Sequence, residues 1–394
     1  MRNKRNTSKS NISKRNYNSC KNICESNSVK QKVLLGVLAV GIACTMIGCT
    51  EKEQNVDLTP EAGYLIMEDD LGTPIKVKED PEYVSALFAV TTHYMAVLDD
   101  LDSVVSISEG NTRDFLFCEM FPSVLEKKVV KGNNNINMES MVSKPVPELL
   151  VANPEAFVDE NTTDKLKKLG IPIYIASFGT FEEQMESVTK LADIMNKESQ
   201  AQVYVDYYAE MITFVKERIA TIPETERKTA YHAINELLRT DKEGTISKEV
   251  MKAAGAKNIA DTIQQKEELT LTSKSYIAVE ELMQANPEYI FINGADVYDY
   301  IEQNEQFHSL QAYQNKKIFL LPLGVSRWGH PNSIETPLAV LFVAKAMYPE
   351  LFEDVVLEEE IREFYTQMFR YELSDEQVEN ILEGRVYKEI KGAG

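Results

Sequence analysis

The sequence predicts an α/β protein: two α/β lobes with central, mainly parallel sheets, joined by a single long rigid helix. Three observations carry that prediction. Short β-type runs alternate with helical patterns in both halves of the chain. Between them lies a stretch with helical periodicity and no strand signal. A length of 394 residues, 43% hydrophobic and 26% charged, is enough to bury two cores.

The N-terminus is set apart from the fold. Residues 1–32 carry nine Lys or Arg against one acid, Glu25, and "VLLGVLAVGIACTMIG" comes next, sixteen apolar or small residues. A membrane-spanning helix needs about 20, so this run fits a secretory signal better. It ends in "MIGC", where a small residue precedes Cys49 after an apolar pair. That pattern resembles a lipobox, in which the cysteine is diacylated and becomes the mature N-terminus. Met46 stands where Leu is usual, and the rival Cys44 has Gly41 where an aliphatic residue is expected. The expectation is therefore a lipoprotein signal peptide over 1–48 with lipidation at Cys49, an uncleaved anchor being the alternative. The protein is then exported and held on the outer face of the cytoplasmic membrane through lipid alone.

Beyond the leader the chain holds 33 basic and 61 acidic residues, a net charge of −28. Such a charge argues against nucleic acid or anionic lipid as partners. Only Cys49 and Cys118 remain, so acylation of the first leaves the second without a disulfide or zinc-site partner. Residues 50–70 contain seven acids and one Lys with little apolar periodicity, which reads as an acidic tether over 49–72.

The N-terminal lobe, 73–197, is built from "EYVSALFAV" then "HYMAVLDDL", "VVSIS", "KKVVKG" then "NMESMVS", "ELLVAN" then "TTDKLKKLG", and "IPIYIAS". From Thr180 to Thr221 two helical stretches run without a strand, "TFEEQMESVTKLADIMN" and "ESQAQVYVDYYAEMITFVKERIAT". In the second, Val203, Tyr207, Met211 and Phe214 share a face. About 22 residues at 1.5 Å each make a rod of about 33 Å, the width of a domain, so 198–221 is read as the interlobe helix. The C-terminal lobe, 222–350, resumes the alternation with "KTAYHAI", "SKEVMKAAGAKNIA", "AVEELMQANPEYIFING" and "FHSLQAYQNKKIFLLPLG". Residues 351–394 add helices near 359–370 and 375–383. There is no GxSxG, P-loop, GxGxxG or HExxH, so no enzyme and no cofactor is expected.

The segments "KPVPELLVANPEAF…LKKLGIPIYIASFGTFEE", "MKAAGAKNIAD", "VEELMQANPEYIFI", "FHSLQAYQNKKIFLLPLG" and "PLAVLFVAKAMYPELF" resemble the solute-binding proteins of ABC importers for iron–siderophore complexes, haem and cobalamin. The resemblance spans roughly residues 73–383 in family order. It implies a ligand clamped between the lobes, small hinge closure, a monomer, and a permease dimer with ATPase subunits as partner. It also implies one docking acid per lobe: Glu160 in "ENTTDKLKKLG" and Glu280 in "VEELM", with Glu155 and Glu281 as near alternatives. Paired carboxylates on two lobes can set the register of a docking surface, although most acids on such a chain are merely solvated. A ferric siderophore ranks first as ligand, haem or a corrinoid next, and a bare transition-metal ion third. A surface sensor or adhesin without a permease, and a chelatase-type enzyme, are the rivals outside transport; the leader argues against the second.

In open α/β sheets ligands sit beyond the carboxyl ends of the strands. That rule selects "TTHY" with Tyr94, "EGNTRD" with Arg113, "AINELLRTDKEG" with Arg239, "NGADVYDY" with Tyr298, and "GVSRWGHPNS" with Arg327, Trp328 and His330. The threonines of "TTHY" are read as caps opening a helix. Three of the eight arginines after the leader fall in these connections. Guanidinium forks suit carboxylate, catecholate or hydroxamate oxygens, and aromatic faces suit flat ligand bodies; loop arginines paired with nearby acids are the plain alternative. His93, His232 and His330 admit a metal reading, though His232 within an apparent strand reads as core and His308 as structural or solvated. Trp328 is the single tryptophan, on a strand-to-helix connection. Its ring is expected to face the ligand, packing on the C-terminal helices being the alternative. Asn332 with Glu335 resembles a capping box for the next helix, with Ser333 a competing cap.

Overall fold

A computed structural model describes residues 58–132, 135–154, 160–240, 244–263, 266–267, 275–330 and 332–384. Cys49 and the leader therefore lie outside the described residues. Two parallel sheets organise the chain. The first, of order β6-β5-β4-β3-β7-β8, comprises β3 (Val84–Ala86), β4 (Val104–Ser108), β5 (Lys128–Gly132), β6 (Asn135–Ile136), β7 (Leu149–Ala152) and β8 (Ile173–Ile175). All its pairings are parallel except that of β6 with β5. The second, of order β11-β9-β14-β15, comprises β9 (Thr229–Ala233), β11 (Lys257–Asn258), β14 (Tyr289–Ile292) and β15 (Ile318–Leu320), all parallel. Every residue of β7 ("LLVA") and β14 ("YIFI") is buried. Helices cover both faces of such strands, which is why they read as unbroken apolar runs instead of alternating ones. A small antiparallel sheet, β10 (Arg239–Thr240), β13 (Ser275–Tyr276) and β12 (Lys266–Glu267), flanks the second.

The expected tether is corrected over its second half. β1 (Tyr64–Glu68) and β2 (Pro74–Lys78) form an antiparallel hairpin. Asp69 closes it, its Oδ1 accepting from the backbone N–H of Leu71 at 3.0 Å and of Thr73 at 2.8 Å, an Asx-type turn. Asp70 turns inward and accepts from the Ser177 N–H and the Lys190 Nζ, each at 2.9 Å, and from the Ser187 hydroxyl. Acids that look solvated in sequence are therefore the strap that holds the hairpin to the first lobe.

The long helix is Glu198–Ile219, 22 residues. Its buried face is Ala201, Tyr204, Tyr208, Met211, Ile212, Val215 and Ile219. The expected stripe is thus displaced: Val203 is exposed, while Tyr207 and Phe214 turn toward the C-terminal segment and meet Phe364 (5.4 Å) and Phe352 (6.2 Å) edge to face. The helix has partners on two sides, so one periodic stripe cannot describe it. It also carries polar ties between the lobes. Tyr208 donates to Gln184 Oε1 at 2.8 Å, Gln184 Nε2 donates to the Ser333 carbonyl at 3.2 Å, and Tyr204 donates to the Ile334 carbonyl at 3.0 Å. A further tie runs from the Phe181 N–H to Glu249 at 2.6 Å. Arg218 clamps Asp354 with both guanidinium nitrogens and holds that carboxyl down to about 2.

Beyond β15 the chain makes a buried polar knot. Glu335, wholly buried, accepts from the Ser326 N–H (2.8 Å), the Ser326 hydroxyl (2.7 Å) and the Tyr365 hydroxyl (2.7 Å). Burial pushes this carboxyl up, and the Ser326, Tyr365 and Trp328 groups pull it back. Two expectations are corrected here. Glu335 is not the far member of a capping box, because it is itself the N-cap position of the helix Thr336–Met347 and its carboxylate points into the core. Trp328 does not face the cleft: its ring is wholly buried and packs edge to face on Phe342 at 6.3 Å. A large aromatic at a turn gains more from the core than from a wet surface. Gly324 completes the knot, since a Cβ there would overlap the Glu335 carboxylate and the Tyr365 hydroxyl. Gly324→Ala is expected to destabilise the protein by about 1–3 kcal/mol, the usual range for overpacking, as a lowered urea midpoint at unchanged slope; an unchanged midpoint would contradict the packing described.

Candidate functional site

Three adjacent strands of the second lobe, β9, β14 and β15, end at the same edge and each delivers a polar residue there. Asn235 follows β9 and adopts a left-handed conformation (φ 61°), which Asn tolerates better than most residues. Asn293 directly follows β14, and Arg327 lies on the connection after β15. They are wired together: Arg327 Nη1 donates to Asn235 Oδ1 at 3.0 Å, and the Asn235 backbone N–H donates to Asn293 Oδ1 at 2.8 Å. All three line a cavity of about 580 Å³, whose other walls include Gly294, Asp296, Asp299 and Leu321. A Cβ at Gly294 would come within 2.5 Å of the Asp296 carboxylate, which would have to swing aside. A second cavity of about 440 Å³ shares Asn235 and Asp296 and adds Leu238, Tyr276 and Tyr300.

Charges of both signs meet at this edge, Arg327 facing Asp296 and Asp299 in the lining of the larger cavity. His330 is pushed down to about 3, first by burial and then by Arg327, Arg239 and His232. It is therefore neutral at physiological pH.

Of the residues selected from sequence, Arg327 reaches the larger cavity; Arg239 and His330 do not line it, but His330 comes close enough to Arg327 and Arg239 to interact with both electrostatically. The others do not. Tyr298, 42% exposed on the helix Ala295–Gln303, has its phenol pushed up by a hydrogen bond to Glu302, while Asp296, Asp299 and Tyr300 of the same helix line the cavities. Arg113 lies at the carboxyl end of β4 in the first lobe, paired with Glu109 one helical turn away. Tyr94 is corrected: it is buried, ringed by Phe178 (5.5 Å) and Tyr204 (5.8 Å), and burial pushes its phenol up strongly. The helix there starts at Ala89, so Thr91 and Thr92 fall inside its first turn, Thr91 donating to the Phe88 carbonyl at 2.7 Å, and neither caps it. His93 is buried against Asp114 at 3.2 Å, and His308 stacks on Tyr313 at 4.3 Å.

Asn235, Asn293 and Asp296 are not among the residues selected from sequence, since neutral asparagines and one acid among many carry no signal of charge or aromaticity that sets them apart. The usable signal was position: each asparagine stands within two residues of a strand's carboxyl end. Among the described residues, no group of three or more His, Cys, Asp or Glu is disposed to hold a metal ion, and no helix is long and apolar enough to cross a membrane.

The depressed His330 pKa has a pH consequence. Between about 3 and the ordinary 6.5, the unfolded chain binds a proton that the folded chain does not. Stability attributable to this group is thus complete above 6.5 and is lost progressively as pH falls. His330→Gln is expected to flatten the pH dependence of stability in that window; an unaltered slope in urea titrations from pH 7 to 4 would contradict it.

Comparison with known proteins agrees with this architecture. The chain is 23% identical over 269 residues to the molybdate-binding protein MolA of Haemophilus influenzae, covering 62% of this chain and 74% of that one. It is 21% identical over 299 residues to the Fe(3+)-citrate-binding protein YfmC of Bacillus subtilis, covering 73% and 88% respectively. A periplasmic solute-binding protein of Veillonella parvula superposes with a TM-score of 0.68 at 21% identity, covering 82% of this chain and 98% of that one. The profile of the family described as periplasmic binding protein matches residues 84–323, from the first residue of β3 to the brink of the Gly324 connection. With both parallel sheets inside that match, the chain belongs to the periplasmic binding protein family and is an extracytoplasmic solute-binding protein of an ABC transporter.

Proposed function

We propose that this chain is a lipid-anchored capture protein that binds an iron complex and delivers it to an ABC permease. A ferric siderophore is the leading cargo, with haem or cobalamin next. The size of the cavity at the carboxyl edge of the second sheet carries this reading. At about 580 Å³, continued by about 440 Å³, it lies in the range of organic small-molecule sites, roughly 300–1,000 Å³, and exceeds what one bare ion needs. Arg327 and Arg239 suit the oxygen ligands of a ferric complex. The name of the Bacillus relative, an Fe(3+)-citrate-binding protein, is consistent with it. Arg327 in the cavity wall supports a second reading, a tetrahedral oxyanion, in keeping with the name of the Haemophilus relative.

The anchor at Cys49 rests on the leader sequence. Permease docking through Glu160 and Glu280 rests on their placement. Glu160 opens the helix Glu160–Lys168, which follows β7, and Glu280 lies in the first turn of the helix Val279–Ala285, which precedes β14. Glu280 is exposed, whereas Glu281 accepts from the Ala278 N–H at 2.8 Å and is engaged as its helix's cap. That favours Glu280 over its neighbour.

Thermal unfolding against ferric trihydroxamate, ferric citrate, hemin, cobalamin, molybdate and nickel(II) tests the cargo. A ligand at one hundred times its Kd should stabilise the protein by about 2.7 kcal/mol. Response to an iron complex supports the leading reading; response to molybdate alone replaces it with the second. Charge reversal of Glu160 and Glu280 to Lys should abolish cellular uptake while leaving Kd unchanged, and undiminished uptake would overturn the docking assignment.

A further inference from the structure

The helix Leu357–Phe369 packs on the long interlobe helix, and the seam between them holds a carboxyl without a partner. Glu360, in the first turn, is 8% exposed, and its Oε2 makes no hydrogen bond. Tyr207 of the interlobe helix brings a buried hydroxyl that is also unmatched, and its ring meets Phe364, one turn beyond Glu360, at 5.4 Å. Glu363 acts on Glu360, on Tyr207 and on Glu210, and Asp206 acts on Glu210, so acids of both helices crowd one place. The cations of the surrounding segments are engaged elsewhere. Arg218 clamps Asp354, Arg362 holds Asp375 at 2.5 Å, Lys345 donates to the Phe352 carbonyl at 2.7 Å, and Lys216 lies over the Phe181 ring at 5.7 Å. His93 of the packed helix Ala89–Val97 faces Asp114 at 3.2 Å, and the helix Asp375–Leu382 adds only Asp375, Glu376 and Glu379. A buried carboxyl among acids, with no cation to meet it, is far less costly protonated than ionised. Burial, then the Glu363 and Glu359 carboxylates, push Glu360 up to about 7. The helix N-terminus favours the anion, but that attraction is small beside burial without a partner.

We propose that the helix Leu357–Phe369 is docked on the interlobe helix by a protonated Glu360, and that ionisation of this carboxyl loosens the seam, so that the C-terminal clasp weakens as pH rises. The sign is opposite to that of His330. Between the ordinary 4.5 and about 7, the folded chain keeps a proton that the unfolded chain gives up. Stability from this group is complete below 4.5 and is lost as pH rises to about 7. The clasp is connected to the cavity edge. Tyr365 of the same helix accepts from the Val325 N–H at 2.9 Å and donates to Glu335 at 2.7 Å, which holds the turn that carries Arg327. Loosening at Glu360 therefore acts on an element that grips this turn.

The test is equilibrium unfolding of the full chain in urea at pH 5.5 and pH 8, beside Glu360→Gln. From the lower to the higher pH, the wild-type unfolding constant should rise roughly 10- to 100-fold more than that of the variant. Hydrogen exchange at residues 357–369, corrected for the intrinsic effect of pH, should show the same excess opening in the wild type. Parallel behaviour of wild type and variant in urea overturns the inference. So does exchange at residues 357–369 with the same pH dependence in both. Glu360→Met, which keeps the length of the side chain without a titrating group, replaces Glu360→Gln if the latter does not fold, and should give the same difference. If neither folds the inference also fails, since a carboxyl that docks in its neutral form tolerates a neutral side chain of its own size.

Discussion

A buried carboxylate governs the second lobe. Glu335 has no exposed surface, and its oxygens are satisfied by the Ser326 N–H, the Ser326 hydroxyl and the Tyr365 hydroxyl. Burying such a group is expensive, and removing one partner of a buried charge strands the other. The arrangement is therefore tolerated only while every neighbour stays in place. That requirement reaches far along the chain. It forbids a side chain at Gly324, fixes the turn that carries Arg327, and draws Tyr365 of a C-terminal helix against the strand-to-helix connection. Val325 donates its N–H to the same tyrosine at 2.9 Å, so the turn is gripped from both sides.

From that knot the constraint passes to the first lobe. Ser333, which shares a 2.9 Å hydroxyl contact with Ser326, offers its carbonyl to Gln184, and Gln184 is in turn held by Tyr208 of the long helix. The lobes are thus linked by a helix and by a chain of buried polar groups along it. Such a network resists large independent motion of the lobes, because opening it would leave several donors and acceptors unmet in the core.

The same rigidity benefits recognition. Asn235, Asn293 and Arg327 stand on the ends of three neighbouring strands and are tied to one another, so little side-chain freedom remains to be lost on binding. Arg327 stands here beside Asp296 and Asp299, in a protein whose full chain carries a net charge of −20. Local field, not net charge, decides what such a cavity accepts.

Much of the fold was legible in the sequence, because its signals are local. Apolar runs such as "LLVA" and "YIFI" can only be strands buried on both faces, and the alternation with helical patterns implies parallel sheets. The order of lobe, long helix and lobe, and the loops in which a site would lie, follow from that periodicity. The hidden part depended on contacts between distant residues. Val203 looked apolar enough for the core, but the helix turns Tyr204 and Tyr208 inward. Asp69 and Asp70 looked solvated until Thr73, Ser177 and Lys190 supplied partners. Trp328 was placed correctly in its loop, yet only packing against Phe342 could decide which way its ring turned. By itself the sequence determined the order of the main strands and helices, since backbone periodicity is written along the chain, but not the hairpin of Tyr64–Lys78 or the helix starts at Ala89 and Thr336. The tertiary structure alone decided which polar groups are spent inside the protein, such as Asp70 on Ser177 and Lys190, since a hydrogen bond is satisfied or not only once its partner from elsewhere in the chain has arrived.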